Sequence, residues 1–190
     1  MSSNNSSYTT QNDLLLRNLM VFYKTESNDN LDNMLKIITG ESKISLRIVD
    51  WFATNYAKKN YTTYVIEGSN ERRFKVYVDY KLKLNAYSKN RFDPFCRWDR
   101  ISVPYKNGTF IETTIGQLNF FKWALENKVI DYLEEHYETI ENDMNSRNST
   151  SKRKETITDN SKTRKKREEL SVSASKSIKK EMVEIMVTFN

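Results

Sequence analysis

Thr114-Ile115-Gly116-Gln117-Leu118-Asn119-Phe120-Phe121-Lys122-Trp123-Ala124-Leu125-Glu126 carries the strongest local signal in the chain. Thr114 and Gln117 have the spacing of a capping box, in which the threonine accepts from the third residue's amide and the glutamine reaches back. Behind the cap, Ile115, Leu118, Phe121 and Leu125 recur at helical spacing. Asn127-Lys128 is a break, and a second helix runs from Val129 to about Met144 with Ile130, Leu133, Tyr137 and Ile140 inward. Two amphipathic helices in succession need an apolar partner surface, which the preceding hundred residues must supply.

Working back from this pair, the spacing predicts helices over 13–23, 30–39 and about 45–57. Leu31, Met34, Leu35 and Ile38 form the stripe of the second, and Gly40 stops it. Leu46, Val49, Ala53 and Tyr56 form the inner face of the third, flanked by Ile48 and Phe52. The period then changes to two. Thr62 to Ile66 and Phe74 to Val78 read as a β-hairpin around Glu67-Gly68-Ser69-Asn70. Helical spacing returns over 79–89, Asp93-Pro94 forces a turn, and Arg100 to Val103 reads as a short strand ended by Pro104. The expected fold is α+β, mainly helical, with a small antiparallel hairpin or sheet. Trp51, Phe52, Leu118, Phe121, Leu125 and Leu133 are the expected buried anchors.

Working forward, apolar residues almost vanish from 146 to 170, which predicts a disordered basic segment. Alternation returns at Val183, Ile185, Val187 and Phe189, so residues 182–190 read as an ordered strand that docks back on the central hairpin, and proteolysis is expected between Lys152 and Arg167. The organisation is then a disordered N-terminus (1–12), a helical segment (13–40), an α+β core (41–145), the disordered basic segment (146–170) and a returning strand (171–190).

Charge is segregated along the chain. Its 190 residues hold 31 Lys and Arg against 25 Asp and Glu, a net of +6. Residues 147–180 hold twelve basic and four acidic residues, residues 72–106 ten and three, and the remainder is acidic. The first basic region has no aromatics. Its Lys152-Arg153-Lys154 and Arg164-Lys165-Lys166-Arg167 have the spacing of a bipartite nuclear import signal, of a phosphate-contacting arm, or of a solubilising loop. The second interleaves Lys81, Lys83, Lys89, Arg91, Arg97 and Arg100 with Phe74, Tyr77, Tyr80, Tyr87, Phe92, Phe95, Trp98 and Tyr105. Cations beside rings are the chemistry of single-strand contact, although the aromatics also make an ordinary core stripe. Glu134, Glu135, Glu138 and Glu141 are expected to keep polyanions off the acidic helix.

Chemistry beyond binding finds little support in the sequence. One Cys and one His are too few for a structural zinc site or a disulfide framework. Cys96 reads as a small hydrophobe and His136 as a surface residue. Asp50, Asp79, Asp93 and Asp99 show no spacing that singles out an acid and a base. No phosphate loop, nucleophile elbow or kinase motif is present, so no enzyme activity and no cofactor are expected. The N-terminus lacks the pattern of a secretory signal and no apolar run reaches the length of a membrane span. An intracellular protein without membrane contact is expected, and the three sequons, at Asn60, Asn107 and Asn148, are expected to be unused.

Three blocks carry a resemblance: Leu46 to Lys59, Tyr87 to Arg97, and Ile115 to Ala124. They resemble a small protein family of nucleocytoplasmic large DNA viruses, of the mimivirus and phycodnavirus kind. That family has no assigned activity, so the resemblance implies a viral source and no mechanism. Together with the charge pattern it leads us to expect a non-enzymatic protein that binds DNA or RNA in viral transcription, replication or packaging, through Lys89, Arg91, Arg97, Arg100 and the basic segment. Its place would be the viral factory in the host cytoplasm, the nucleus or the virion, with other virion or viral transcription proteins as further partners. A minor capsid or assembly protein is the alternative.

Overall fold

The computed structural model describes residues 10–24, 29–67, 71–155 and 180–181. Helix α1 (Gln11–Tyr23) opens on a capping box: the Thr10 hydroxyl accepts from the Asp13 amide and the Asp13 carboxylate accepts from the Thr10 amide. The ordered chain therefore begins before residue 13, and the part of the expected N-terminal disorder beyond it, residues 1–9, lies outside the described residues. Helix α2 (Asn30–Thr39) buries Leu31, Met34, Leu35 and Ile38, and Gly40 ends it in the left-handed region at φ 80°, a conformation that costs glycine little.

Helix α3 (Leu46–Trp51) is capped by Ser45 and runs without interruption into a π-helical turn (Phe52–Tyr56) and α4 (Ala57–Lys59). Strands β1 (Thr63–Ile66) and β2 (Arg72–Lys75) pair antiparallel, Tyr64 opposite Phe74. The hairpin is as expected, but its second strand is shorter: α5 (Val76–Tyr87) begins directly after Lys75. The Val76 amide still bonds the Thr62 carbonyl at 3.2 Å, so strand pairing reaches the first helical residue and the period-two pattern outlasts the strand.

A second antiparallel pair joins β3 (Arg100–Pro104) and β4 (Phe110–Thr114), with Val103 opposite Ile111. The sequence reading missed β4, although Asn107-Gly108 supplies its turn. Helix α6 (Ile115–Glu126) follows β4 without a loop. Thr114 accepts from the Gln117 amide at 3.2 Å, while the Gln117 side chain donates to the Pro94 carbonyl and accepts from Thr113. Helices α7 (Val129–Glu135) and α8 (Tyr137–Glu155) divide at His136 where one helix was expected. Helix α8 continues through Glu155, so disorder from residue 146 is overturned for 146–155. Once a helix is nucleated by buried Ile140 and Met144, each further residue adds a hydrogen bond, and Lys, Arg and Glu propagate well. Residues 156–170 lie outside the described residues.

Strand β5 (Lys180–Glu181) lies antiparallel on β4, with Lys180 opposite Ile111. The chain does return to the core, but its partner there is β4 and not the β1–β2 hairpin. The expected strand over 182–190 lies outside the described residues.

The core fills the space between α6 and the surrounding helices. Phe52, Leu118, Phe121 and Leu133 are buried as expected, whereas Trp51 and Leu125 are only partly covered. Trp51 instead turns its indole N–H to Asp143 at 3.2 Å. One aromatic cluster joins Phe92, Phe120, Trp123 and Tyr80. A second is a stack of Phe52, Tyr132, Tyr64 and His136, with the imidazole 4.1 Å from the Tyr132 ring. Among the described residues, no helix is long and apolar enough to cross a membrane.

Gly116 shows how tightly α6 meets the chain preceding β3. A Cβ there would lie 2.8 Å from Cys96 Cβ, 3.0 Å from its Sγ and 3.1 Å from the Asn90 carbonyl. Gly116→Ala is expected to cost about 1–3 kcal/mol by overpacking, read from the denaturation midpoint. Adding Cys96→Gly removes the Cβ it strikes and is expected to recover part of the loss. Equal midpoints for Gly116→Ala and wild type would show that the segment yields freely.

Candidate nucleic-acid interface

The residues from Ser88 to Asp99 form a loop between α5 and β3 whose backbone is held from inside. Asn119 donates to the Arg91 carbonyl at 2.8 Å and Gln117 to the Pro94 carbonyl at 3.1 Å. The Asp93 amide bonds the Gly116 carbonyl at 3.3 Å, and the Asp93 carboxylate accepts from the Phe95 amide at 2.8 Å across Pro94. Phe92 and Cys96 point into the core and are buried. Asn119 and Gln117 are themselves buried polar residues, so the loop supplies the partners that buried amides require. Ser88 and Asp99, with φ 63° and 48°, turn the chain at either end.

With the inner face so fixed, the charged residues face outward, each differently. Lys89 and Arg97 are exposed at the lip of a cleft of about 660 Å³. Arg91 is half-buried and donates to Asn12 Oδ1 and Gln11 Oε1, both at 2.7 Å. It acts as a strut from the loop to α1, keeping its charge but committing two of its donor nitrogens. Arg100 pairs across the β3–β4 ladder with Glu112 at 3.3 Å. Lys152, Arg153 and Lys154 ride on the final turns of α8, and Arg164, Lys165, Lys166 and Arg167 lie outside the described residues. The four expected binding positions of the ordered region are thus one loop and the strand it enters, but only two of them sit at the cleft.

The aromatics divide as sharply. Phe74, Tyr80 and Phe92 are buried, and Tyr77, Tyr87, Phe95 and Tyr105 are half-buried against the core. Trp98 is the exception, 73% exposed at the edge of the cleft. An indole held in water beside two cations is placed for stacking on a planar ligand.

The floor of the cleft has the opposite charge. Asp50 comes from α3, and Thr54 from the π-helical turn that follows; Tyr80 from α5 and Asp93 from the loop complete it. Burial pushes the Asp50 carboxyl up to about 6, the neighbouring Asp93 charge adds to the shift, and Lys89 opposes it. Burial likewise raises Asp93, against the Phe95 amide bond and Lys89. Burial and these two carboxylates push the Tyr80 hydroxyl up to about 12. Sequence spacing dismissed Asp50 and Asp93, which are brought together only by the fold. One signal was available: Asp50 follows Leu46 by four residues and precedes Ala53 by three, a polar residue on the apolar stripe of α3.

Among the described residues, no group of three or more His, Cys, Asp or Glu is gathered to hold a metal ion. Acidic Glu134, Glu135 and Glu138 are exposed on α7 and α8, and Glu141 accepts from the Tyr137 hydroxyl at 2.8 Å. His136 is half-exposed, stacked as described on Tyr132.

Residues 1–188 match a family of unknown function, DUF7197. The chain is also similar to an uncharacterized protein of Acanthamoeba polyphaga mimivirus, 46% identical over 160 residues that make up 81% of this chain and 61% of that protein. It therefore spans about three fifths of the length of that relative. No solved structure matches the chain.

Proposed function

We propose, from the premise that this chain belongs to the family DUF7197 and has a relative in a mimivirus, that it is a non-enzymatic nucleic-acid-binding protein serving viral transcription, replication or packaging. The observation that carries this reading is Trp98, exposed beside Lys89 and Arg97 on a loop whose backbone is pinned from within. A solvated tryptophan contributes no burial energy to folding, and stacking on bases is sequence-tolerant chemistry that suits its cationic neighbours. The basic end of α8 and the segment after it supply phosphate contacts without reading sequence.

Single-stranded and duplex oligonucleotides titrated across a salt series test the reading. Neutralising Lys89 and Arg97 together is expected to flatten the log–log salt slope by up to about 2 units on duplex DNA, and neutralising residues 164–167 by up to about 3–4. Trp98→Ala is expected to cost ~1–3 kcal/mol on single strands and much less on duplex. Binding weaker than ~10⁻⁴ M to both forms at physiological salt falls below ordinary non-specific affinity. In that case the reading fails and a virion-assembly role takes its place.

A further inference from the structure

Resting on the nucleic-acid reading, we propose that the cleft between α3 and the loop 88–99 is a pocket for one unpaired guanine base, with its Watson–Crick edge on Asp50 and Asp93, its face beside Trp98 and its phosphate toward Lys89 and Arg97. The cleft, about 660 Å³, is roomy enough for a nucleotide, and its charge runs from an acidic floor to a basic lip. A nucleotide has the complementary polarity, with hydrogen-bond donors on the base and negative charge on the phosphate.

The choice among bases follows from acceptors. An ionised carboxylate only accepts. Among the described residues the Phe95 amide donates to Asp93, and no donor reaches the Asp50 carboxylate. Guanine presents two adjacent donors, N1–H and N2–H₂, on its Watson–Crick edge. Adenine and cytosine each place a ring-nitrogen acceptor beside their one amino group, and uracil offers a single N–H between two carbonyls. A carboxylate floor therefore favours guanine and repels the acceptors of the others. The groups facing these carboxylates are Tyr80 from α5 and Lys89, Cys96 and Arg97 from the loop. Of these Lys89 acts on both carboxylates and favours their ionised form. A ligand that donates to ionised Asp50 must bind less well as the pH falls through the carboxyl's titration near 6.

The test is calorimetric titration of the full chain with GMP, AMP, CMP and UMP, alongside the oligonucleotide series. At pH 7.5 GMP is expected to bind at least tenfold tighter than the other three, and guanosine to keep that preference while losing affinity. The preference is expected to fall below threefold in Asp50→Asn and in Asp93→Asn, and in wild type at pH 5. Asp50→Asn removes a buried charge, so loss of fold is not the expected result, and its melting curve checks this. Equal affinity for the four nucleotides, or a GMP preference retained in both variants, overturns the proposal. So does Mg²⁺ or Ca²⁺ that binds alone and excludes GMP. If oligonucleotides bind with a salt slope but without guanine preference, this inference fails and the broader reading stands. If neither oligonucleotides nor nucleotides bind, both fail.

Discussion

Phe92→Ala is expected to destabilise the protein by about 3–5 kcal/mol, the range for removing a fully buried phenyl ring. Phe92 is 1% exposed and its ring lies 5.5 Å from Phe120, 5.7 Å from Trp123, 5.9 Å from Tyr80 and 6.2 Å from Tyr87. Truncation leaves a hole at the meeting point of α5, α6 and the loop, and those rings, fixed on separate elements, cannot all collapse into it. The loss should appear as a lower urea midpoint with an unchanged slope. Amide exchange over residues 90–96 should rise as well, because Phe92 is the apolar anchor of the loop. Phe92→Leu keeps most of the volume and is expected to cost under about 1.5 kcal/mol. A Phe92→Ala cost within ~0.5 kcal/mol, as at an ordinary surface position, would show that the ring does not hold the loop.

The second large effect depends on pH. The Asp50 carboxyl is raised to about 6 in the fold by burial, then by Asp93, so folding favours its neutral form. That contribution is complete below the unfolded value near 3.9 and is lost as the pH rises through about 6. Roughly two units amount to about 3 kcal/mol. Asp50→Asn cannot ionise, and it should match wild type near pH 4 and exceed it by up to about 3 kcal/mol at pH 8. Asp93, also raised by burial, adds loss of the same sign in wild type. Asp143 works the other way. The Lys59 ammonium at 2.7 Å holds its carboxyl below the usual range, and the Trp51 N–H supports it. Its contribution is present above the unfolded value and disappears as acid reaches the folded one. Chemical denaturation at pH 4, 6 and 8 follows Asp50, whereas the Asp143 loss falls below about pH 4. Parallel curves for wild type and Asp50→Asn across that range would exclude a buried, perturbed Asp50.

The parts of the fold legible in the sequence were those whose local chemistry agrees with their tertiary role. Helix α2 keeps one stripe and ends at Gly40 with positive φ, and Thr114 accepts from the Gln117 amide at the head of α6 as its spacing predicts, whereas the Gln117 side chain, expected to complete the box, serves Pro94 and Thr113. The illegible parts are junctions decided by distant contacts. No glycine or proline marks the passage from β2 to α5; the Thr62 carbonyl, fourteen residues earlier, fixes it. The π-helical turn at Phe52–Tyr56 inserts a residue into a run whose apolar pattern still reads as one helix. Similarly, the loop cations were visible as a basic aromatic segment, but not which would be spent on structure. Arg91 needs Asn12 and Gln11, some eighty residues away, before its role as a strut exists. Trp98 looked like its seven aromatic neighbours because exposure is a property of the packed chain and spacing does not encode it.

The contact between the first helix and the sixth bears on how the chain is made. The Tyr23 hydroxyl, fully buried, donates to the Leu118 carbonyl at 2.7 Å, and Leu19 is sealed in the same core. A ribosome adding roughly 5–20 residues per second needs about 5–20 s to lengthen the chain from α1 to the end of α6. For that interval α1 lacks its α6 partner and has only nearer contacts such as Tyr23 to Met34 of α2 at 3.8 Å, and at thirteen residues it is marginal as an isolated helix. Helix α1 is therefore secured only after α6 has been made, and until then the growing chain carries Leu19 and Tyr23 without their α6 cover.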